Sequence, residues 1–316
     1  MHFLLLIVGM VGLWLGAMIM VSHGKAIALR LGISELLVGL TIVSIGVSLP
    51  EIMVSLFSGA KGASGIAVGS MVGSCLTQIT LILGIAGFIH NIKASAKAIK
   101  IDGTALLLVI IIFFVFGFTG REFTRLEGIA SMLFYVGYLV FTSKHDVMSE
   151  ARKEDLKHFT HKDRHIFMHV FLLFCGVAVL LVGADLVLDN ALYLIKTFGF
   201  SQTFIGVMIV GVATCLPELS TAVASVMKRT PGISIGSLIG SNITDPLFSV
   251  GIGATLFGFK VEDMTLFYFD VPFWFLSTVL ALYLIHRKYL TLNRYEASVL
   301  IATFGVFAFI KIWLFS

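Results

Sequence analysis

The sequence is poor in charge. Only 13% of its 316 residues are Asp, Glu, Lys or Arg, against roughly a quarter in a soluble domain, which is too little to cover a water-facing surface. Sulfur is scarce too. The three cysteines, Cys75, Cys175 and Cys215, lie inside apolar runs without metal-site spacing, cannot pair completely, and read as small buried residues. The net charge is a modest +4, and no basic stripe interleaved with aromatics exists, so a nucleic-acid partner is not expected. Met1-His2-Phe3 runs straight into leucines, with neither a basic leader nor a small-residue cleavage site. It is expected to open a first spanning helix and not a signal peptide. Prolines number only five, so one inside an apolar run carries weight.

What the chain has in excess is apolar length. Hydrophobic residues make up 58% of it, with a mean hydropathy of +1.02. Runs at 3–22, 36–60, 65–90, 103–119, 126–142, 167–195, 203–227, 232–258, 265–285 and 296–315 predict an all-α integral membrane protein of ten transmembrane helices. The one long polar gap, from Thr142 to His165, splits them five and five. The expected units are therefore a first five-helix repeat at 1–142, a cytoplasmic linker at 143–165, and a second repeat at 166–316. Sixteen lysines and arginines fall on the linker's side and six on the other. By the positive-inside rule this places the linker in the cytoplasm and both termini outside, in a multi-pass cell (plasma) membrane protein.

The two halves repeat at a constant offset. Val43-Ser44-Ile45-Gly46-Val47-Ser48-Leu49-Pro50-Glu51 returns 167 residues later as Val210-Gly211-Val212-Ala213-Thr214-Cys215-Leu216-Pro217-Glu218. The same offset pairs Gly69 with Gly236, Gly73 with Gly240, Ser74 with Ser241, Thr77 with Thr244 and Gly16 with Gly183. About a third of the positions in 39–85 and 206–252 are identical without a gap, the mark of an internal duplication. A unit of five spans forces its copy to enter from the opposite side, giving an inverted-topology repeat. Transporters of that architecture hold ions near the midplane on interrupted helices.

Each repeat carries a proline followed by a carboxylate in mid-span. Such an acid costs at least about 2.5 kcal/mol in lipid and so calls for a function. Pro50 and Pro217 remove an N–H and free the carbonyls of Gly46 and Ala213. A calcium ion takes six to eight such oxygens from carboxylates, carbonyls and waters. Glu51 shares a helix face with Val47 and Ser48, and Glu218 with Thr214 and Cys215. One helix further on, Ser74 and Gln78 share a face, as do Ser241 and Asp245, with Gln78 and Asp245 in matching positions. The glycines in Gly69-Ser70-Met71-Val72-Gly73-Ser74 and its copy are explained by close helix packing alone.

Other polar residues say less. Asp185, Asp189 and Asp270 read as rim or entrance acids, no basic residue is expected within the core of any span, and the phenylalanines read as lipid-facing bulk. His158, His161 and His165 with Asp155 and Asp163 read as a solvated linker ahead of a metal sensor.

These paired motifs resemble the two alpha-repeats of the cation/calcium antiporter superfamily, and within it the prokaryotic sodium/calcium exchangers. The resemblance covers essentially the whole chain. It implies that Glu51 and Glu218 bind calcium, with sodium competing for the same cluster. It also implies that Ser44, Val47, Ser48, Ser74, Gln78, Gly211, Thr214, Cys215, Ser241 and Asp245 complete the sites. Val47 stands where the family usually has threonine, Cys215 where it has serine, and Gln78 where sodium exchangers often have asparagine. A thiol is a poor partner for hard cations, so a proton is the alternative counter-ion.

The expected function is exchange of calcium for sodium by alternating access at a midplane carboxylate cluster. The alternatives are proton-coupled transport of calcium or another divalent cation such as manganese, a passive cation channel, and an intramembrane hydrolase using Asp185 and Asp245. No catalytic residue, cofactor or obligate protein partner is expected; the partners are the transported ions and the bilayer.

Overall fold

The computed structural model describes residues 1–30, 44–94, 96–144, 166–227, 231–287 and 289–315. The linker residues 145–165, with the three linker histidines, lie outside the described residues, as do 31–43.

Helices account for almost all of it. They are α1 (His2–Arg30), α2 (Leu49–Ala60), α3 (Ser64–Ile89), α4 (Ala96–Gly120), α5 (Arg125–Lys144) and α6 (Ile166–Phe198). There follow α7 (Gln202–Met227), α8 (231–257), α9 (Leu266–Arg287) and α10 (Arg294–Phe315). Among the described residues seven of these, α1, α3, α4, α6, α7, α9 and α10, are long and apolar enough to cross a membrane, and α2 is a shorter apolar helix.

The helices pack around α3. Its most apolar stretch is 78% buried, against 28% for those of α1, α6 and α10, so α3 is enclosed by protein while the latter three keep broad apolar faces outward. Close approach explains this. A Cβ added to Gly69 would lie 2.8 Å from the Thr203 carbonyl, and one on Gly73 would strike the Val207 backbone. α3 and α7 thus touch backbone to backbone, as small residues allow in membranes. α1 and α6 form a second intimate pair, antiparallel, with Gly9 against Gly183 and Gly16 against Gly176.

The offset read in the sequence recurs in the backbone. A four-residue helical turn, Ser44–Val47, precedes a break at Ser48 and then α2; in α7 the same break falls at Cys215, between Thr214 and Leu216. Wide π-turns occupy Gln78–Ile82 in α3 and Asp245–Ser249 in α8. Four two-residue strands, β1 (Ile92–Lys93), β2 (Glu122–Phe123), β3 (Phe259–Lys260) and β4 (Thr291–Leu292), pair crosswise and antiparallel, β1 with β4 and β2 with β3. Each tie joins a loop of the first half to one of the second.

Two expectations are corrected. Phe113, Phe123, Phe267 and Phe307 are buried, not lipid-facing, and Phe113 meets the buried Trp274 edge-on at 6.1 Å between centroids. Helices α4 and α9 turn Phe113 and Phe267 toward one another, and Phe307 of α10 stacks on Phe269 of α9, which single-helix reading does not reveal. Phe167, Phe171, Phe174 and Phe309 are exposed as expected. Secondly, a basic residue near the end of a span is buried inside the protein: Lys311 of α10 and Asp270 of α9 form a fully buried ion pair at 2.6 Å. Asp270 is therefore no rim acid. Asp185 and Asp189 are exposed, and both hold Lys61 at 2.6 Å.

Asp263, between β3 and α9, ties two helix starts together. Its Oδ1 accepts from the Thr265 N–H at 3.0 Å and hydroxyl at 2.5 Å. Its Oδ2 accepts from Ser201 at 2.8 Å, and the Ser201 oxygen in turn caps α7 by accepting from the Phe204 N–H. Partial burial opposes the Asp263 charge, but the Thr265 and Ser201 donors outweigh it and lower its pKa. A lowered carboxylate pKa contributes stability that is complete above the unfolded value near 3.9 and lost as pH falls through the folded one. Asp263→Ala is expected to destabilise by about 1–3 kcal/mol at pH 7. In thermal melts the gap to wild type should close below about pH 4.

Candidate cation site

The two helix breaks and the π-turns at Gln78–Ile82 and Asp245–Ser249 converge on one polar cluster inside the protein. Each break follows from its sequence: the proline one residue into α2, and its copy in α7, starts a helix well but cannot continue one. Glu51 and Glu218 then fall in the first turn of the restarted helices. That position suits an anion, because the helix N-terminus carries partial positive charge.

Glu51 is 3% exposed, and Glu218, Asp245, Gln78, Ser74 and Ser48 are wholly buried. The three carboxylates lie near enough to repel one another. Among the described residues none of them forms an ion pair. Ser74 Oγ donates to Glu51 Oε1 at 3.0 Å, and Gln78 Nε2 donates to Ser74 Oγ at 3.0 Å and to Asp245 Oδ2 at 3.1 Å. The Gln78–Asp245 bond joins equivalent positions of the two repeats, 167 residues apart. Among the described residues four carboxylate oxygens accept no hydrogen bond: Glu51 Oε2, both oxygens of Glu218, and Asp245 Oδ1. Buried charge without compensation costs several kcal/mol, so the cluster as it stands is built for something positive.

The other expected residues are placed as follows. Ser48 is wholly buried beside Asp245. Thr214 lies beside Glu51, its hydroxyl donating to the Gly211 carbonyl at 3.1 Å. Cys215 Sγ contacts the same carbonyl at 3.1 Å and Ser74 Oγ at 3.3 Å, so the thiol sits within the cluster. Gly211 packs against the Ser70 and Ser74 backbone, where a side chain would not fit. Val47 is buried. Ser241 is nearly buried but does not hydrogen-bond Glu218, unlike its copy Ser74 with Glu51. The Ser44 side chain lies outside the described residues. Asp185, exposed and held by Lys61, is not joined to buried Asp245, which removes the basis for a paired-aspartate hydrolase.

Sequence reading missed Asn242, which donates to Gln78 Oε1, and Trp274, which donates to Asn242. It also missed Ser55 and Ser58, whose buried hydroxyls have no partner. Both serines fall on the Glu51 face of α2 at helical spacing, a signal present in the sequence.

Among the described residues no three histidine, cysteine or acidic side chains converge as a ready-made metal centre. A cation here would need the hydroxyls and freed carbonyls besides the carboxylates. That mixture suits a hard ion such as calcium or sodium.

The comparison with known proteins agrees with this chemistry. Residues 1–144 and 168–313 match the sodium/calcium exchanger protein family. The chain belongs to that family of membrane transporters. It is 28% identical to the sodium/calcium exchanger MaX1 of Methanosarcina acetivorans, over 97% of each chain. It is 30% identical to the putative antiporter CaxA of Alkalimonas amylolytica, over 79% of each. Among solved structures it resembles the sodium-calcium exchanger NCX_Mj soaked with sodium and strontium ions, with a TM-score of 0.65, 26% identity and complete coverage of both chains.

Proposed function

We propose that this protein is a secondary active antiporter that exchanges calcium for sodium across the cell membrane. The observation that carries the reading is the set of three buried, unpaired carboxylates with four free oxygens. Calcium and the counter-ion take turns in that cluster. Glu51, Glu218 and Asp245 supply charge. Ser48, Ser74, Thr214 and Ser241 supply hydroxyls, Val47 and Gly211 carbonyls, and Ser44, Gln78 and Cys215 complete the wall. An empty cluster leaves buried charge uncompensated and disfavours crossing unloaded, which enforces exchange.

The ten spans form two inverted five-helix repeats, 1–142 and 166–316, joined by a cytoplasmic linker at 143–165, with both termini outside. Matching breaks at Ser48 and Cys215, matching π-turns and the crosswise strand ties support this symmetry. The tightly packed α1–α6 pair lies outside the α3-centred core. Movement of the first two spans of each half against the rest exposes the cluster to one side at a time, as in other inverted-repeat transporters.

One observation favours a proton as the counter-ion: a thiol occupies the cluster at Cys215, and Val47 brings no hydroxyl. The two readings separate in liposomes. An outward-directed sodium gradient at fixed pH is expected to drive calcium uptake, and a pH gradient without sodium is not. The reverse result would make this a calcium/proton antiporter. Uptake needing neither gradient, with single-channel currents, would replace exchange by conduction.

A further inference from the structure

Behind the carboxylates lies a hydrogen-bond chain whose direction is settled at its far end. Trp274 is fully buried, and an indole N–H can only donate. It donates to Asn242 Oδ1 at 3.0 Å. The other end of that amide, Asn242 Nδ2, donates to the Leu238 carbonyl at 3.1 Å, an acceptor with no proton to give. A donor-only group on one side and an acceptor-only group on the other leave Asn242 a single orientation. Its Nδ2 then donates to Gln78 Oε1 at 2.7 Å, so the Gln78 amide is fixed as well. Gln78 presents its NH2 group to Asp245 and Ser74, and Ser74, accepting from Gln78, sends its own proton to Glu51.

We propose that Trp274 and Asn242 are positioning residues for ion binding: through them the Gln78 amide nitrogen, and not its oxygen, is turned toward the acids. Gln78 is then a donor to the cluster and not a cation ligand. It occupies Asp245 Oδ2 and, through Ser74, Glu51 Oε1. The ion is left the four oxygens that have no partner. A Gln78 amide free to turn would set its carbonyl against Asp245 and release the Ser74 proton from Glu51. The inference rests on the cluster being the calcium site.

The test is a double-mutant cycle between Trp274→Phe and Gln78→Leu in the full-length protein. Phenylalanine removes the N–H and keeps a ring against Phe113. Calcium affinity is read as the KM of uptake in liposomes and as the calcium-dependent shift of melting temperature in detergent, which needs no turnover. Trp274→Phe is expected to weaken calcium binding about tenfold, as for one lost buried hydrogen bond, with the maximal rate within about twofold. In the Gln78→Leu background the same substitution is expected to change nothing, because its path to the ion is already cut. An equal loss in both backgrounds, or none in either, overturns the inference. Where Trp274→Phe does not fold, Asn242→Leu runs through the same cycle with the same outcomes. A wild-type protein that neither takes up nor binds calcium overturns the proposed function, and this inference with it; an additive cycle in an active exchanger overturns this inference alone.

Discussion

Glu218→Gln is expected to abolish sodium-driven calcium uptake, and Glu51→Gln to do the same. Each replacement keeps the side chain's shape and removes one unit of negative charge from the centre of the cluster. A unit charge interaction at 4 Å is worth about 4 kcal/mol at an effective dielectric constant of 20, which corresponds to roughly a thousandfold in affinity. Residual calcium binding in either variant should therefore be beyond reach at micromolar to millimolar concentration. The two differ in what they do to the empty protein. Both Glu218 oxygens are buried without a partner, so Glu218→Gln relieves a strained charge and should leave the calcium-free melting temperature unchanged or higher. Glu51→Gln disturbs an existing bond from Ser74 and should lower it slightly. In both, the rise in melting temperature that calcium gives wild type, which follows ligand occupancy, should vanish. Wild-type transport in either variant would refute the proposed site.

Lys311→Met is expected to give the largest loss of stability. Lys311 and Asp270 are both wholly buried and 2.6 Å apart, and Asp270 Oδ1 already has no partner. Deleting the lysine leaves Asp270 charged and uncompensated inside the protein, a change that costs about 3–5 kcal/mol in buried pairs. The signature is asymmetric. The double variant Lys311→Met/Asp270→Leu removes both charges and should recover most of the loss, because apolar replacement of a buried pair is often neutral. Thermal unfolding of the three proteins in detergent decides it: equal damage in the single and double variants would mean that packing, not charge, is what Lys311 contributes. The pair is not among the interactions of the Glu51 cluster, so calcium affinity in whatever folds should be unchanged.

The spans were readable because a bilayer permits few solutions. Apolar length marks a helix directly, and runs such as 265–285 and 296–315 fall on α9 and α10 within two residues. The helix breaks at Ser48 and Cys215 were readable from Pro50 and Pro217, since proline acts on its own backbone. Asp270 and Lys311 were misplaced for the opposite reason. Nothing local distinguishes a lysine near a span end that reaches the surface from one that finds an acid on the neighbouring helix.

The same division separates the two layers of the cation site. Sequence alone pointed to which apolar runs carry acids, to their pairing at an offset of 167 residues, and to hard-cation chemistry as what such acids suit. All of these are properties of composition and spacing along one helix. Only the tertiary structure decided which oxygens are free, that Gln78 turns its nitrogen inward, and that Trp274 and Asn242 stand behind it. Hydrogen-bond direction depends on partners brought together from helices far apart in the chain, and no single helix carries that information.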